Sequence, residues 1–153
     1  MEEVQRIKSL FDKIYRGPNW IEVDIISVLS KLSAQQAAKR ILPKSNSIWE
    51  IVVHMVRWRE NVLLRVQGTE IATPVTNYIE TVERPTEAEW VLVLQDMERS
   101  QEKWLGYLSS VKVEAFDKRY RPNNMDHYDH IMGILQHDAY HLGQIAMQVK
   151  YTL

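Results

Sequence analysis

His137 and His141 stand four residues apart in the segment His-Asp-Ala-Tyr-His-Leu-Gly-Gln-Ile near the C-terminal end of the chain. On a helix such a pair projects from one face, with Cβ atoms about 5–6 Å apart. That spacing lets two neutral imidazoles reach one divalent ion at roughly 2.0–2.1 Å each. Two ligands make an incomplete site, so a third donor has to come from elsewhere. His130 shares their angular position but lies roughly 10.5 Å away along the helix axis. His127 is farther still, and both fit a pocket wall better than a ligand shell. His54 is the better third donor: it lies mid-helix among Ile51, Val52, Met55 and Trp58. Three imidazoles with an open fourth position are the pattern of catalytic rather than closed structural metal sites. The alternative for each of these residues is a core histidine hydrogen-bonded to a neighbour.

Several side chains surround this set in sequence. Gln144, one turn after His141, is placed to fix a ligand imidazole through its other nitrogen. Glu50, one turn before His54, either orients an imidazole or acts as the capping partner of Ser47. Trp49, Trp58 and Tyr140 are candidates to line a pocket, although aromatics at helical spacing commonly serve as core. The stretch His137-Asp138-x-x-His141 also resembles the zinc-protease pattern H-E-x-x-H with Asp138 in place of the glutamate. Aspartate is one methylene shorter, however, and no third-ligand pattern of that class follows it.

A metal site of this kind needs helices that face one another. Val4, Ile7, Leu10, Phe11 and Ile14 repeat with helical period, and Gly17-Pro18 ends that block. Trp20 to Leu32 reads as a second stretch that continues the first helix after a break. Ser33 with Gln36 is a capping box for a short turn through Arg40, and Ser47 with Glu50 opens a helix from Ile48 to Val66 that Gly68 ends. Thr86 with Glu89 is a third capping box, for a helix reaching about Ser110 with Trp90, Val93, Leu94, Met97, Trp104 and Leu108 as its buried stripe. Asp117 to Asn124 is a loop, and the last helix runs from about Asp126 to Tyr151. On that helix His130, His137, His141, Gln144 and Gln148 fall within about 60° of arc, beside a stripe of Ile131, Leu135, Leu142 and Val149. No Lys or Arg occurs between residues 127 and 149, so this polar row is expected to face a cleft rather than open solvent. Strand signals at 71–75 and 111–113 are short and broken. These blocks predict an all-α fold, an antiparallel four-helix bundle in one domain over residues 1–153, with its site built from facing helices.

The composition narrows the chemistry. The 153 residues carry a formal net charge of −1 and no long basic run, so no nucleic-acid partner is expected. There is no cysteine, which excludes disulfides, thiolate ligands and a cysteine nucleophile and leaves nitrogen and oxygen to hold any metal. The first residues include Glu2, Glu3 and Asp12 and do not form a secretory signal, and no run approaches the ~18 apolar residues of a membrane span. A cytoplasmic protein with no membrane partner is the expectation.

Two segments carry a family resemblance. Ser47-Ile48-Trp49-Glu50-Ile51-Val52-Val53-His54 followed by Trp58, and His137-x-x-x-His141-x-Gly143-Gln144-Ile145, together resemble the DinB-like (damage-inducible, YfiT-like) family. The order and spacing of the helices resemble it over nearly the whole chain. The resemblance implies a four-helix bundle, often a homodimer, with a divalent metal on three histidines that match His54, His137 and His141. It also implies a small-molecule substrate. Members of the family include transferases and isomerases that use low-molecular-weight thiols such as bacillithiol or mycothiol, proteins described as metal-dependent hydrolases, and others without established activity. A metal-dependent thiol S-transferase, a hydrolase and a non-catalytic, stress-associated metal-binding bundle therefore all remain open. Zinc or nickel is the expected ion, although imidazole also suits manganese and iron.

Overall fold

Four long helices carry the structure, a computed structural model that describes residues 2–152. They are α1 (Glu2–Arg16), α4 (Ile48–Val66), α5 (Glu87–Ser110) and α6 (His127–Val149), with two short helices, α2 (Ile25–Leu29) and α3 (Ala34–Ala38), and a 3-10 turn at Val113–Asp117 between them. Among the described residues there is no strand, only one isolated bridge between Arg119 and Asp126. None of the described helices is long and apolar enough to cross a membrane.

The caps explain most of the boundaries. Ser33 with Gln36 and Ser47 with Glu50 form reciprocal boxes, each side chain accepting from the other residue's backbone N–H. Thr86 forms half of one: its hydroxyl accepts from the Glu89 N–H, but the Glu89 carboxylate takes the Thr86 hydroxyl proton rather than the Thr86 N–H. Asp126 caps α6 by accepting from Asp129 N. At the end of α4, Gly68 (φ 94°) allows Thr69 N to reach Leu64 O and Gly68 N to reach Arg65 O, the paired bonds of a left-handed C-terminal cap.

One expected element is shorter than its apolar pattern suggests. The stretch from Trp20 to Leu32 is helical only over Ile25–Leu29. Asn19 donates its amide to Lys13 O and Val23 O, and Asp24 accepts from Ser27 N, so side chains satisfy backbone groups that a continuous helix would have paired. Trp20 consequently points into solvent, 97% exposed.

Partner residues define how the long helices run. Antiparallel packing holds between α4 and α6, where Asn46 meets Gln148 and His54 meets His137, and between α1 and α5, where Tyr15 meets Glu98 and Phe11 meets Gln101. By contrast α4 and α5 run in the same direction, with Trp49 against Trp90, Arg59 against Gln101 and Val66 against Tyr107. Such a pair needs a connection that travels back the length of a helix, and residues 67–86 provide it. That long crossover later closes one side of the site.

The interior has two apolar clusters. One gathers α2, α3 and the first half of α4 around Trp49, Met55, Trp90 and Met97; the other gathers Ile7, Phe11, Val62, Trp104, Leu108 and Ile131. Between them lie Arg59, Gln101 and Asp138, all with no exposure. Arg59 donates to Gln101 Oε1 at 2.5 Å and holds its Nε 3.5 Å from Asp138 Oδ2. Burial pushes the Asp138 carboxyl up to about 6 against the opposing pull of Arg59.

Candidate metal centre

Facing turns of α4 and α6 bring His54, His137 and His141 together. His54 Nε2 lies 3.0 Å from His137 Nε2, and His141 Nε2 lies 3.1 Å from the same atom. One ligand-capable atom from each residue falls within 4.8 Å of the others. The antiparallel register of α4 against α6 makes this possible, since it sets the N-terminal half of α4 beside the middle and C-terminal half of α6.

The outer nitrogens decide what these rings offer. His54 Nδ1 donates to the Asn77 carbonyl at 2.7 Å, because a carbonyl can only accept. His141 Nδ1 donates to Gln144 Oε1 at 2.7 Å, and the Gln144 amide nitrogen donates onward to the Tyr140 hydroxyl at 3.0 Å. Both rings therefore present an unprotonated Nε2 to the centre. His137 Nδ1 is buried without a partner. A proton on His137 Nε2 would serve only one of the two facing lone pairs, so the cluster lacks an electrophile that a cation supplies. Ligand nitrogens on a tetrahedral ion at 2.0–2.1 Å stand about 3.3 Å apart, a few tenths of an ångström wider than the separations here. The donor set fits a divalent ion with imidazole-compatible chemistry.

Electrostatics points the same way. Burial lowers the pKa of all three histidines; for His137, further lowered by its two histidine neighbours and by Arg59, it falls from 6.5 to about 3. At neutral pH the imidazoles are uncharged, which is the form that ligates.

The cluster opens into a cleft of about 590 Å³. Trp58, half-buried, forms one wall: its indole N–H donates to Asn77 Oδ1 at 2.9 Å, and its ring lies edge-on to His54 and His137. Asn77 thus fixes both His54 and Trp58, and with Tyr78 it sits in left-handed backbone (φ 52° and 58°), which asparagine tolerates better than most residues. Tyr140 stands at the mouth, 64% exposed, with its ring edge against His141. His130 lines the cleft farther along; its Nδ1 bonds Asp126 O at 2.9 Å and its Nε2 lies 3.4 Å from the Asn123 amide nitrogen.

Four sequence candidates lie elsewhere. Glu50 is buried in the α4 cap, accepting from Ser47 N at 2.7 Å and from Arg40 at 2.5 Å, and does not line the cleft. Burial raises its pKa, but the bonds from Arg40 and Ser47 outweigh that and hold it below the usual carboxylate range. Trp49 packs on Trp90 in the core. Asp138 is sealed beside Arg59 and does not line the cleft, so it is not placed as the base of a zinc-protease motif. His127 is buried and also outside the cleft.

Sequence reasoning missed Asn77, Arg65 and Asn123. Asn77 and Asn123 come from the long connections, whose path periodicity does not encode. Arg65 resembles an ordinary last-turn cation of α4.

Comparison with known proteins follows the same lines. A family model described as the DinB superfamily matches residues 22–145, which include all three clustered histidines. The fold is similar to the crystal structure of a conserved protein from Enterococcus faecalis, with a TM-score of 0.64 and 13% identity over 99% of this chain and 93% of that one. At that identity the likeness speaks for the fold alone. No curated protein sequence matches the chain.

Proposed function

Since the chain belongs to the DinB superfamily, we propose that it is a divalent-metal-dependent enzyme acting on a small molecule, of the type that transfers a low-molecular-weight thiol. The observation that carries this reading is the convergence of three imidazole Nε2 atoms on an open cleft rather than inside a sealed shell.

His54, His137 and His141 would hold the ion, with Asn77 and Gln144 fixing the orientation of two of the rings. An ion bound there supplies Lewis acidity, which lowers the pKa of a thiol or water that reaches its open position. With no cysteine in the chain, the sulfur has to arrive with a co-substrate. His130, its Nδ1 donating to Asp126 O and its Nε2 facing the Asn123 amide, stands on the cleft wall as a polar contact for a substrate. Trp58 covers the cluster on one side and limits the approach of bulk water.

The test is metal content by mass spectrometry on untagged protein, wild type beside His54→Ala and His137→Ala, followed by conjugation of a small thiol to an electrophilic dye. We expect about one zinc or nickel ion per chain, lost in both variants, and turnover that requires metal and thiol. Metal-dependent turnover without thiol would make water the nucleophile and the protein a hydrolase. Stoichiometric metal with no turnover of either kind would favour the non-catalytic bundle, and a wild type that binds no metal would refute the proposal.

A further inference from the structure

Arg65 lies on the same face of α4 as His54, three turns farther along, and it lines the same cleft. It is 8% exposed, yet among the described residues no carboxylate stands within ion-pairing distance of it. Its Nη2 donates to Thr73 Oγ1 at 3.0 Å, and its Nε is sealed from solvent without a partner. The guanidinium sits between two aromatic faces, its Cζ 5.5 Å from the Trp58 ring centroid and 5.1 Å from that of Tyr120. Aromatic faces offset part of the loss of hydration but accept no in-plane hydrogen bond. A buried arginine is ordinarily paired with an anion.

The position relative to the histidines is as informative as the missing partner. Trp58 also lies 6.4 Å from the His137 ring, so the guanidinium is no more than about 12 Å from that ring. Trp58, Val62 and Ile134 line the space between the two ends. Among the described residues the one carboxylate on the cleft, Asp129, is exposed and not paired with Arg65, and it disfavours ligands of high negative charge.

We propose that Arg65 is the substrate-anchoring residue of this cleft, and that it binds the carboxylate of a small, otherwise apolar molecule whose other end reaches the three histidines. The fork of a guanidinium suits a carboxylate with two parallel N–H···O bonds, and its planar face is already fixed by Trp58 and Tyr120. The proposal rests on the cleft being a substrate site, and it gives that reading its substrate class. The bland role for Arg65, tethering the 67–86 connection through Thr73, predicts a change in stability without a change in ligand preference.

Calorimetric titration with 3-phenylpropanoate and its neutral amide tests this, on zinc-loaded and on chelator-treated protein. Wild type is expected to prefer the carboxylate by about tenfold or more in both states, and Arg65→Met to remove that preference. Zinc content, measured separately, stays unchanged in the variant. A preference lost on chelation but kept in Arg65→Met would place the carboxylate on the metal and overturn the proposal while leaving the metal reading intact. No preference in wild type, whether from equal binding or from none, overturns it as well. Should Arg65→Met lose its helical circular dichroism, Arg65→Lys serves instead: a point charge without the fork should reduce the preference several-fold, and an unchanged preference refutes the assignment.

Discussion

Gln144 offers a sharp test of how the histidine cluster is prepared for a metal. Its Oε1 accepts from His141 Nδ1 at 2.7 Å and so selects the tautomer whose Nε2 faces His137. Replacing it by leucine keeps the bulk and removes the acceptor. His141 then resembles His137, whose Nδ1 already lacks a partner, and it is free to place its proton on Nε2, where it blocks ligation. Outer partners of this kind are worth 10–100-fold in metal affinity, or about 1.4–2.7 kcal/mol. Gln144→Glu keeps an acceptor and adds charge behind the ring, so its affinity should equal or exceed that of wild type. Gln144 is only half-buried, and the metal-free Gln144→Leu protein should unfold within about 0.5 kcal/mol of wild type. Competition for zinc against a chromophoric chelator measures the affinities, and urea unfolding measures the stability. A Gln144→Leu protein that binds zinc within about twofold of wild type would show that helix packing alone orients His141, and the argument from tautomers would fail.

Two further outcomes follow from the buried charges. Asp138→Asn leaves the fully buried Arg59 without its anionic neighbour and should destabilise the protein by about 3–5 kcal/mol in urea, whereas Arg59→Met with Asp138→Leu should recover most of that; equal losses in both proteins would refute the pairing. The pKa of His137 is depressed in the folded chain, so the unfolded chain binds the extra proton, and metal-free stability should fall as the pH drops from 6.5 toward about 3. Asp138 acts in the opposite sense between 3.8 and about 6, because its folded pKa is raised. His137→Leu should therefore lose less stability on acidification than wild type, and parallel pH–stability curves by circular dichroism would count against the assignment.

The sequence by itself was enough for the long helices and for the shared helix face of His137 and His141. Capping pairs such as Ser47 with Glu50, and the i, i+4 spacing of His137 and His141, are local patterns that fix a helix start and a helix face without reference to the rest of the chain. Local patterns misled where side chains compete with the backbone: Asn19 and Asp24 stop the helix that Trp20 and Ile21 suggested. They were also silent on long-range register. That His54 meets His137 and that Asp138 turns to Arg59 instead of the cleft depend on how α4 lies against α6. Asn77 shows the limit most clearly. It holds His54 and Trp58 only because residues 67–86 cross back over the bundle to join two helices that run the same way, and no periodicity in the connection announces where its carbonyl will come to rest. Helix type and face are written in nearest-neighbour chemistry, whereas a site built across helices exists only once packing has chosen which faces meet.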